Sequence, residues 1–301
     1  MSDATPAAAV AVRAPSLAAD LVTLTKPRII SLLLVTTIAP MFITPAGMPS
    51  WGLIGWVALA GYLMAGGANA INMWFDRDID DKMARTKLRP IPSGRMTPGA
   101  VLLFGITLGA VAFTLFWHFV NPLAAWLALS GLLFYVFIYT IWLKRISPQN
   151  IVIGGAAGAF PPLVGWAAMT GSIDLGALYL FAIIFFWTPP HFWALALRLQ
   201  GDYAEAGVPM LPVTDGPAVT RFQILRYTVM LVVISVLLAP AAELGLIYLG
   251  SALALGGIFG WYAFRLYRHP ERESPMTLYK YSLLYLALVF IAMGVDALVL
   301  G

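Results

Sequence analysis

Nine runs of mostly apolar residues, each about 20 residues long, recur along this chain of 301 residues. A helix of about 20 residues crosses the hydrocarbon core of a bilayer, and a backbone inside lipid must satisfy its own hydrogen bonds. Barrel strands would show alternation over about ten residues, which these runs lack. The sequence therefore predicts an all-α fold, a polytopic membrane bundle of nine transmembrane helices. The predicted spans are residues 29–46, 52–75, 98–118, 122–143, 150–170, 175–198, 222–241, 244–265 and 280–300.

The composition excludes an ordinary soluble domain, because 60% of the residues are hydrophobic and only 11% are charged. All 18 Lys and Arg residues fall near the N-terminus or in or beside every second connection. By the positive-inside rule, these segments face the cytoplasm, which predicts a cytoplasmic N-terminus and an outward C-terminus in a bacterial inner membrane. This orientation accounts for the net charge of +4, so no nucleic-acid partner is needed.

The first residues differ from the remainder of the chain. Residues 1–25 are rich in Ala and lack a sustained apolar run, which predicts a disordered cytoplasmic arm. Residues 26–301 are predicted to form a single intramembrane domain, because the outward connections are too short for another. The chain has no cysteine, which excludes disulfides and thiolate ligands.

Asn72, Asp76 and Asp80 are spaced four residues apart at the charged end of the second predicted span. On an α-helix this spacing places the side chains on one face, about 6 Å further along the axis at each step. Carboxylate and amide oxygens one turn apart suit Mg²⁺, which takes other ligands from water and phosphates. A solvated acidic helix end is the alternative interpretation.

The loop that follows is basic and predicted to face inward. It carries Arg85, Lys87 and Arg89, and two prolines and Gly94 stiffen it. Guanidinium groups bind anions through paired hydrogen bonds. Acidic and basic groups at one mouth predict a site for a metal diphosphate, although these charges could also serve only to orient the protein.

The sixth predicted span ends in a related pattern. His191, Arg198 and Asp202 are spaced seven and four residues apart, so they share a helix face at the inward end. This repetition suggests a weak internal duplication, with two acidic helix ends facing each other across a cavity. Ionisable groups near membrane depth are costly, which favours a functional role.

The motif Asn72-x-x-x-Asp76-x-x-x-Asp80, followed by R-T-K-L-R-P-I-P-S-G at residues 85–94, resembles the first aspartate-rich motif of the UbiA-type intramembrane prenyltransferases. Members of that family are nine-helix enzymes that move an isoprenoid from its diphosphate to an aromatic or related acceptor. Three further stretches resemble the branch of the family whose acceptor is a heme. They lie at residues 147–166, 188–198 and 202–213.

The resemblance implies transfer of a farnesyl group from farnesyl diphosphate to a vinyl group of protoheme IX (heme B), with addition of water. The products are heme O, which terminal oxidases require, and pyrophosphate. It also implies Mg²⁺ as cofactor and a downstream heme-modifying enzyme as a candidate partner. The implied metal ligands are Asn72, Asp76, Asp80 and Asp202. The implied diphosphate-binding residues are Arg85, Lys87, Arg89, Lys144 and Arg198.

The chain departs from the family pattern at one position. The second motif of the family usually carries two aspartates four residues apart, and here Arg198 stands in the first place. This departure weakens the case for a symmetrical second metal site. It is expected if Arg198 binds diphosphate or a heme propionate instead.

Aromatic residues are the candidates for handling the allylic group and the acceptor. The predicted catalytic residues are Asp76, Asp80 and Tyr139. The tyrosine is included because the π-face of an aromatic ring stabilises a nearby positive charge. Tyr135, Trp187 and His191 are candidates for binding the acceptor. Ordinary packing or a membrane-interface belt is the alternative role for the tyrosines, and a structural role is the alternative for His191.

Two other functions fit parts of the pattern. A prenyltransferase acting on an aromatic quinone precursor would use the same Asp76 and Asp80 chemistry. A membrane transporter can also carry repeats and buried charges, but carriers place these near the midplane of the bilayer. The acidic residues here lie at one mouth, which favours the enzyme.

Overall fold

The computed structural model describes residues 15–300, and helices are the only regular secondary structure in that part of the chain. A 3-10 turn, Ala39–Ile43, extends the second helix, and a π-helical stretch, Phe134–Leu143, lies between the sixth and seventh. In chain order the helices are α1 (Leu17–Thr25), α2 (Pro27–Ile38), α3 (Trp51–Phe75), α4 (Arg77–Lys82), α5 (Pro98–Phe119), α6 (Pro122–Leu133), α7 (Lys144–Ile146), α8 (Asn150–Gly154), α9 (Ala156–Thr170), α10 (Leu175–Arg198), α11 (Gln200–Glu205), α12 (Leu211–Thr214), α13 (Gly216–Ala241), α14 (Leu246–Arg268) and α15 (Pro275–Leu300).

The predicted all-α membrane bundle is confirmed. Eight helical segments of the described chain are long and apolar enough to cross a membrane. A ninth is formed if α1 joins α2 and its 3-10 turn, a pair that bends by 43°. The bend has a local cause, because Pro27 disfavours the right-handed helical conformation at the residue before it. Lys26 accordingly adopts the left-handed conformation, with φ of 57°.

The prediction of a disordered arm over residues 1–25 is wrong for its last part. The first 14 residues lie outside those described, but Leu17–Thr25 forms α1. The Ser16 hydroxyl accepts a hydrogen bond from the Ala19 amide and caps this helix. The buried carboxylate of Asp20 accepts from the Arg95 guanidinium, and this ion pair holds α1 against the basic loop.

The helices form a closed arrangement around two apolar cores. One core centres on α3, α5 and α6, and the larger one on α10, α13, α14 and α15. Helix α9 contacts both α6 and α10 and so joins the two cores. Helix α15 packs against α2, so the first and last spans of the described chain meet.

Two long helices end in the same way at the polar side of the bundle. Helix α3 is followed after Asp76 by the six-residue α4, and α10 is followed after Leu199 by the six-residue α11. Hydrogen bonds with α-helical spacing cross the first junction: the Asp76 amide donates to Asn72, and the Asp80 amide donates to Asp76. The Leu199 and Tyr203 amides do the same at the second junction. These matching ends agree with the predicted duplication.

Close helix packing at Gly67 gives a first test of the fold. A Cβ at Gly67 would lie 2.7 Å from the Gly105 carbonyl oxygen, whereas one at Gly61 would meet only a Leu34 methyl group, at 3.5 Å. Gly67→Ala should therefore lower the free energy of unfolding by about 1–3 kcal/mol. Gly61→Ala is the matched control in the same helix and should be neutral or slightly stabilising. Thermal unfolding in detergent measures both, and equal melting temperatures would contradict the packing.

Candidate active site

A ladder of buried polar side chains lies at the end of α3. Asn72, Asp76 and Asp80 are each less than 5% exposed. The Asn72 amide donates to Asp76 Oδ2 over 2.7 Å. The predicted shared face therefore persists through the junction at Asp76, because the α-helical hydrogen bonds continue there. Asn69, seven residues before Asp76, instead donates to the Thr25 carbonyl oxygen and ties α3 to α1.

The π-helical stretch and Lys144, the residue directly after it, supply partners of this ladder. Thr140 lies 3.1 Å from the Asn72 amide nitrogen, and Lys144 donates to Asp76 Oδ2 over 2.5 Å. Thr140 and Lys144 are four residues apart, as are Asn72 and Asp76. Each of these two ladder residues therefore has one partner on the facing segment. A π-helix is rare and is frequently found at functional sites.

The basic loop neutralises the next carboxylate. Arg89 donates to Asp80 Oδ2 over 2.6 Å, and its side chain is 19% exposed. The hydroxyl of Thr86 donates to the Asp80 carbonyl oxygen and fixes the start of the loop on α4. Arg85 and Lys87, predicted to bind the diphosphate with Arg89, are exposed and make no ion pair within the described residues.

Lys26 is a site residue that the sequence analysis missed. Its ammonium group donates to Asn72 Oδ1 over 3.1 Å, although Lys26 precedes Asn72 by 46 residues. The left-handed backbone at Lys26 turns this side chain towards α3. Such a conformation costs roughly 1–3 kcal/mol for a residue other than glycine and is concentrated at functional sites. The only sequence signal was the basic residue directly before Pro27.

Asp76 retains a free oxygen that fits a metal ligand. Its Oδ1 atom is buried and has no hydrogen-bond partner in the described chain, and the nearest Arg145 nitrogen is 3.9 Å away. An unpaired buried carboxylate oxygen is costly, and a divalent cation would satisfy it. Asp76 and Asp80 therefore have the oxygen donors that Mg²⁺ prefers. No group of three His, Cys, Asp or Glu residues suited to a metal occurs in the described chain, so Asp202 does not complete one with them.

Asp78 lies off the ladder, as the helical spacing predicts. It accepts two hydrogen bonds from Arg145, and these bonds lower the pKa of Asp78 to about 2. Because this pKa is depressed, the pair stabilises the fold above pH 4 or so and loses that contribution as the pH falls towards 2. The Asp78 side chain is 57% exposed, so the contribution is small.

Tyr135 and Tyr139 both lie in the π-helical stretch. Their rings stack with centroids 5.5 Å apart. Tyr139 also packs directly on Gly154, where a Cβ would overlap its ring. Tyr139 directly precedes Thr140, which contacts Asn72 of the ladder. The two tyrosines therefore lie close to the acidic ladder.

The second cluster is built on α10. The imidazole of His191 is stacked between the rings of Trp187 and Tyr279, at centroid distances of 4.2 and 4.6 Å. Arg198, at the end of this helix, is exposed, and Asp202 is half-buried. Neither makes a side-chain hydrogen bond or ion pair within the described residues. Sequence reasoning found Trp187 and His191, but it missed Tyr279, which lies on the last helix.

Tyr203 connects the two clusters. Burial raises the pKa of Tyr203, and the charges of Arg85, Asp202 and Arg89 act on the same phenol. Tyr279, which stacks on His191, is a further neighbour. Tyr139, Tyr203 and Tyr279 also pack against the larger apolar core, so the residues beside the ladder and the aromatic cluster on α10 adjoin the same core.

The family assignment follows from comparison with known proteins. The UbiA prenyltransferase family matches residues 32–291, so the chain belongs to that family. A protoheme IX farnesyltransferase from Deinococcus radiodurans is 50% identical over 295 residues, which cover 94% of this chain and 94% of that protein. One from Roseiflexus sp. (strain RS-1) is 58% identical over 285 residues, covering 95% of this chain and 53% of the relative. The resemblance to the heme-directed branch is thereby confirmed, although the chain spans only about half the length of the Roseiflexus relative.

Solved structures agree on the fold. A digeranylgeranylglyceryl phosphate synthase superimposes with a TM-score of 0.76 at 21% identity, covering 92% of this chain and 97% of the other. A UbiA homologue from Archaeoglobus fulgidus bound to DMAPP and Mg²⁺ superimposes with a TM-score of 0.68 at 16% identity, covering 92% and 99%. At these identities the likeness establishes the shared helical architecture.

The pair of Asp76 and Lys144 gives a test of the site that needs no substrate. The two side chains are 1% and 16% exposed, so removing one leaves a buried charge. Lys144→Met should cost about 3 kcal/mol of unfolding free energy. The double variant Lys144→Met/Asp76→Asn should recover most of that loss, because neither charge remains. Denaturant unfolding of both single variants and the double variant measures the coupling, and additive losses would contradict the pair.

Proposed function

We propose that the chain transfers a farnesyl group from farnesyl diphosphate to a vinyl group of heme B, with addition of water, and releases heme O and pyrophosphate. The observation that carries this proposal is the 50% identity to the Deinococcus protoheme IX farnesyltransferase over nearly the full length of both chains. The buried acidic ladder and its basic partners support the diphosphate chemistry.

The proposed role of the ladder is to hold the metal ion that neutralises the negative charge of the diphosphate. The bond between the farnesyl C1 and its diphosphate oxygen breaks with both electrons going to the diphosphate, whose negative charge must be stabilised. Asp76 and Asp80 would hold Mg²⁺, which neutralises charge on the leaving group when bound. Lys26, Arg89 and Lys144 already surround these carboxylates and can turn to the phosphate oxygens.

The apolar setting controls what the allylic carbon meets. The stacked rings of Tyr135 and Tyr139 offer π-faces to the positive charge that develops on the farnesyl group. Exclusion of bulk water favours attack by the vinyl carbon, which forms the new carbon–carbon bond. A water molecule then adds to the remaining vinyl carbon and loses a proton. No aspartate has to act as a strong base, because the acceptor itself loses no proton.

The aromatic cluster on α10 is the proposed acceptor site. Trp187 and His191 lie on α10 and are buried, at 7% and 6% exposure, and both contact Ser282 on α15. The proposed setting is a bacterial inner membrane with the mouth of the site on the cytoplasmic side, where the basic segments lie. Because the farnesyl group makes heme O more hydrophobic than heme B, a downstream heme-modifying enzyme in the same membrane is the proposed recipient.

Product analysis tests this function directly. The purified chain, with Mg²⁺, heme B and farnesyl diphosphate, should yield a more hydrophobic heme whose mass has increased by one farnesyl group and one hydroxyl group. Asp76→Asn and Asp80→Asn should abolish turnover, because the ladder loses the charge that holds the metal. Asp81→Asn, a neighbouring exposed carboxylate, is the control and should retain activity. Prenylation of a hydroxybenzoate or naphthoate in place of heme would assign the chain to quinone synthesis instead.

Arg198 gives a separate test of the second motif. If its guanidinium pairs with an anionic ligand, Arg198→Lys keeps the charge but loses the bidentate hydrogen bonds. The dissociation constant of that ligand should then rise by about one to two decades. A loss confined to farnesyl diphosphate makes Arg198 a diphosphate-binding residue, and one confined to heme makes it a propionate-binding residue. Unchanged constants for both would mean that Arg198 only orients the protein.

A further inference from the structure

The imidazole of His191 has only one edge left for a ligand. Trp187 and Tyr279 cover its two faces, and Phe192 meets it edge to face at a centroid distance of 5.2 Å. Its Nδ1 atom lies 2.7 Å from the hydroxyl oxygen of Ser282. No described residue forms a hydrogen bond with Nε2. The edge that carries Nε2 is therefore the part of the ring that can meet a substrate.

The hydroxyl of Ser282 determines which ring nitrogen carries the proton. This hydroxyl donates its single proton to the Tyr279 carbonyl oxygen over 2.6 Å. It can then only accept at His191, so Nδ1 must be the protonated nitrogen. A neutral imidazole protonated at Nδ1 has its lone pair on Nε2. That lone pair is the form of histidine that binds a metal ion.

Ser282 is itself held in place by the same cluster. Its carbonyl oxygen accepts a hydrogen bond of 2.8 Å from the Trp187 indole nitrogen. Its side chain is fully buried. Ser282 therefore contacts both His191 and Trp187, the ring that stacks on one face of His191. Both contacts cross from α10 to α15, between residues more than 90 positions apart.

We propose that Ser282 is a positioning residue, which holds His191 as the Nδ1–H tautomer so that Nε2 binds the iron of the heme acceptor. Histidines that bind metals almost always donate their other ring N–H to a fixed acceptor, and the Ser282 hydroxyl is that acceptor here. In globins and peroxidases, a histidine is likewise the protein ligand of the heme iron. This inference rests on the proposed acceptor, heme B.

The tautomer can be measured without substrate. The protein has three histidines, and the other two, His118 and His269, are exposed. In a His118→Gln/His269→Gln protein labelled with ¹⁵N-histidine, the NMR signals of His191 should show a protonated Nδ1 and an unprotonated Nε2 at neutral pH. Protonation at Nε2 would overturn the proposal. This measurement leaves Ser282 in place, so it does not depend on whether a Ser282 variant folds.

Heme binding tests the role of Ser282. Heme B added to the purified protein, without farnesyl diphosphate, should give the absorption and iron–histidine resonance Raman bands of a histidine-bound heme. His191→Ala should remove those bands. Ser282→Ala should weaken heme affinity by about 10 to 100-fold and shift the iron–histidine stretch, because the ligand loses its partner. Ser282→Thr keeps a hydroxyl, so its heme affinity and its iron–histidine stretch should both be close to those of the wild type.

Ser235→Ala is the matched control. Ser235 is equally buried on α13, and its hydroxyl donates to the Leu231 carbonyl oxygen, away from His191. It should leave the heme spectrum unchanged. Histidine bands that persist in His191→Ala, or a Ser282→Ala spectrum and affinity equal to wild type, would overturn the proposal. Intact histidine bands with no farnesylated product would contradict the proposed function alone.

Discussion

The burial of two carboxylates at the end of an apolar helix is the constraint on which the site depends. Asp76 and Asp80 are 1% and 3% exposed, and charges in such a setting require partners. The partners come from three separate segments: Lys26 from the junction of α1 and α2, Arg89 from the loop after α4, and Lys144 from the end of the π-helical stretch. Each segment departs from regular helix. In each of these places, the irregular backbone brings positive charge to the ladder.

Much of this arrangement could be predicted from local sequence. Apolar length gives the spans, because lipid requires internally satisfied backbone. The four-residue spacing places Asn72, Asp76 and Asp80 together, and it does so even across the junction at Asp76. The partners of these residues could not be predicted in the same way. Lys26 reaches Asn72 only because its backbone is left-handed, and Lys144 reaches Asp76 through a π-helix, a rare conformation for which no simple sequence pattern exists.

The second half of the site depends even more on contacts distant in sequence. Trp187 and His191 lie one turn apart in the same helix, so their neighbourhood follows from local sequence. It could not indicate that Tyr279 and Ser282 from the last helix complete the cluster, because only the packing of α10 against α15 brings them there. The N-terminal region shows the same limit. Leu17–Thr25 is only nine residues long, too short to be recognised as a span, yet Asp20 and its partner Arg95 hold it against the bundle as a helix.

The balance of charge around the ladder bears on how it would receive a substrate. Lys26, Arg89 and Lys144 all contact the ladder, so basic groups surround the two carboxylates before any ligand arrives. A magnesium complex of a prenyl diphosphate remains anionic, and such basic groups would bind it. The same cations that now satisfy Asp76 and Asp80 could then turn to phosphate oxygens as the metal takes their place on the carboxylates. Once this exchange of partners is complete on substrate binding, the donors are in place before negative charge develops on the leaving group, which is the condition under which electrostatic stabilisation is most effective.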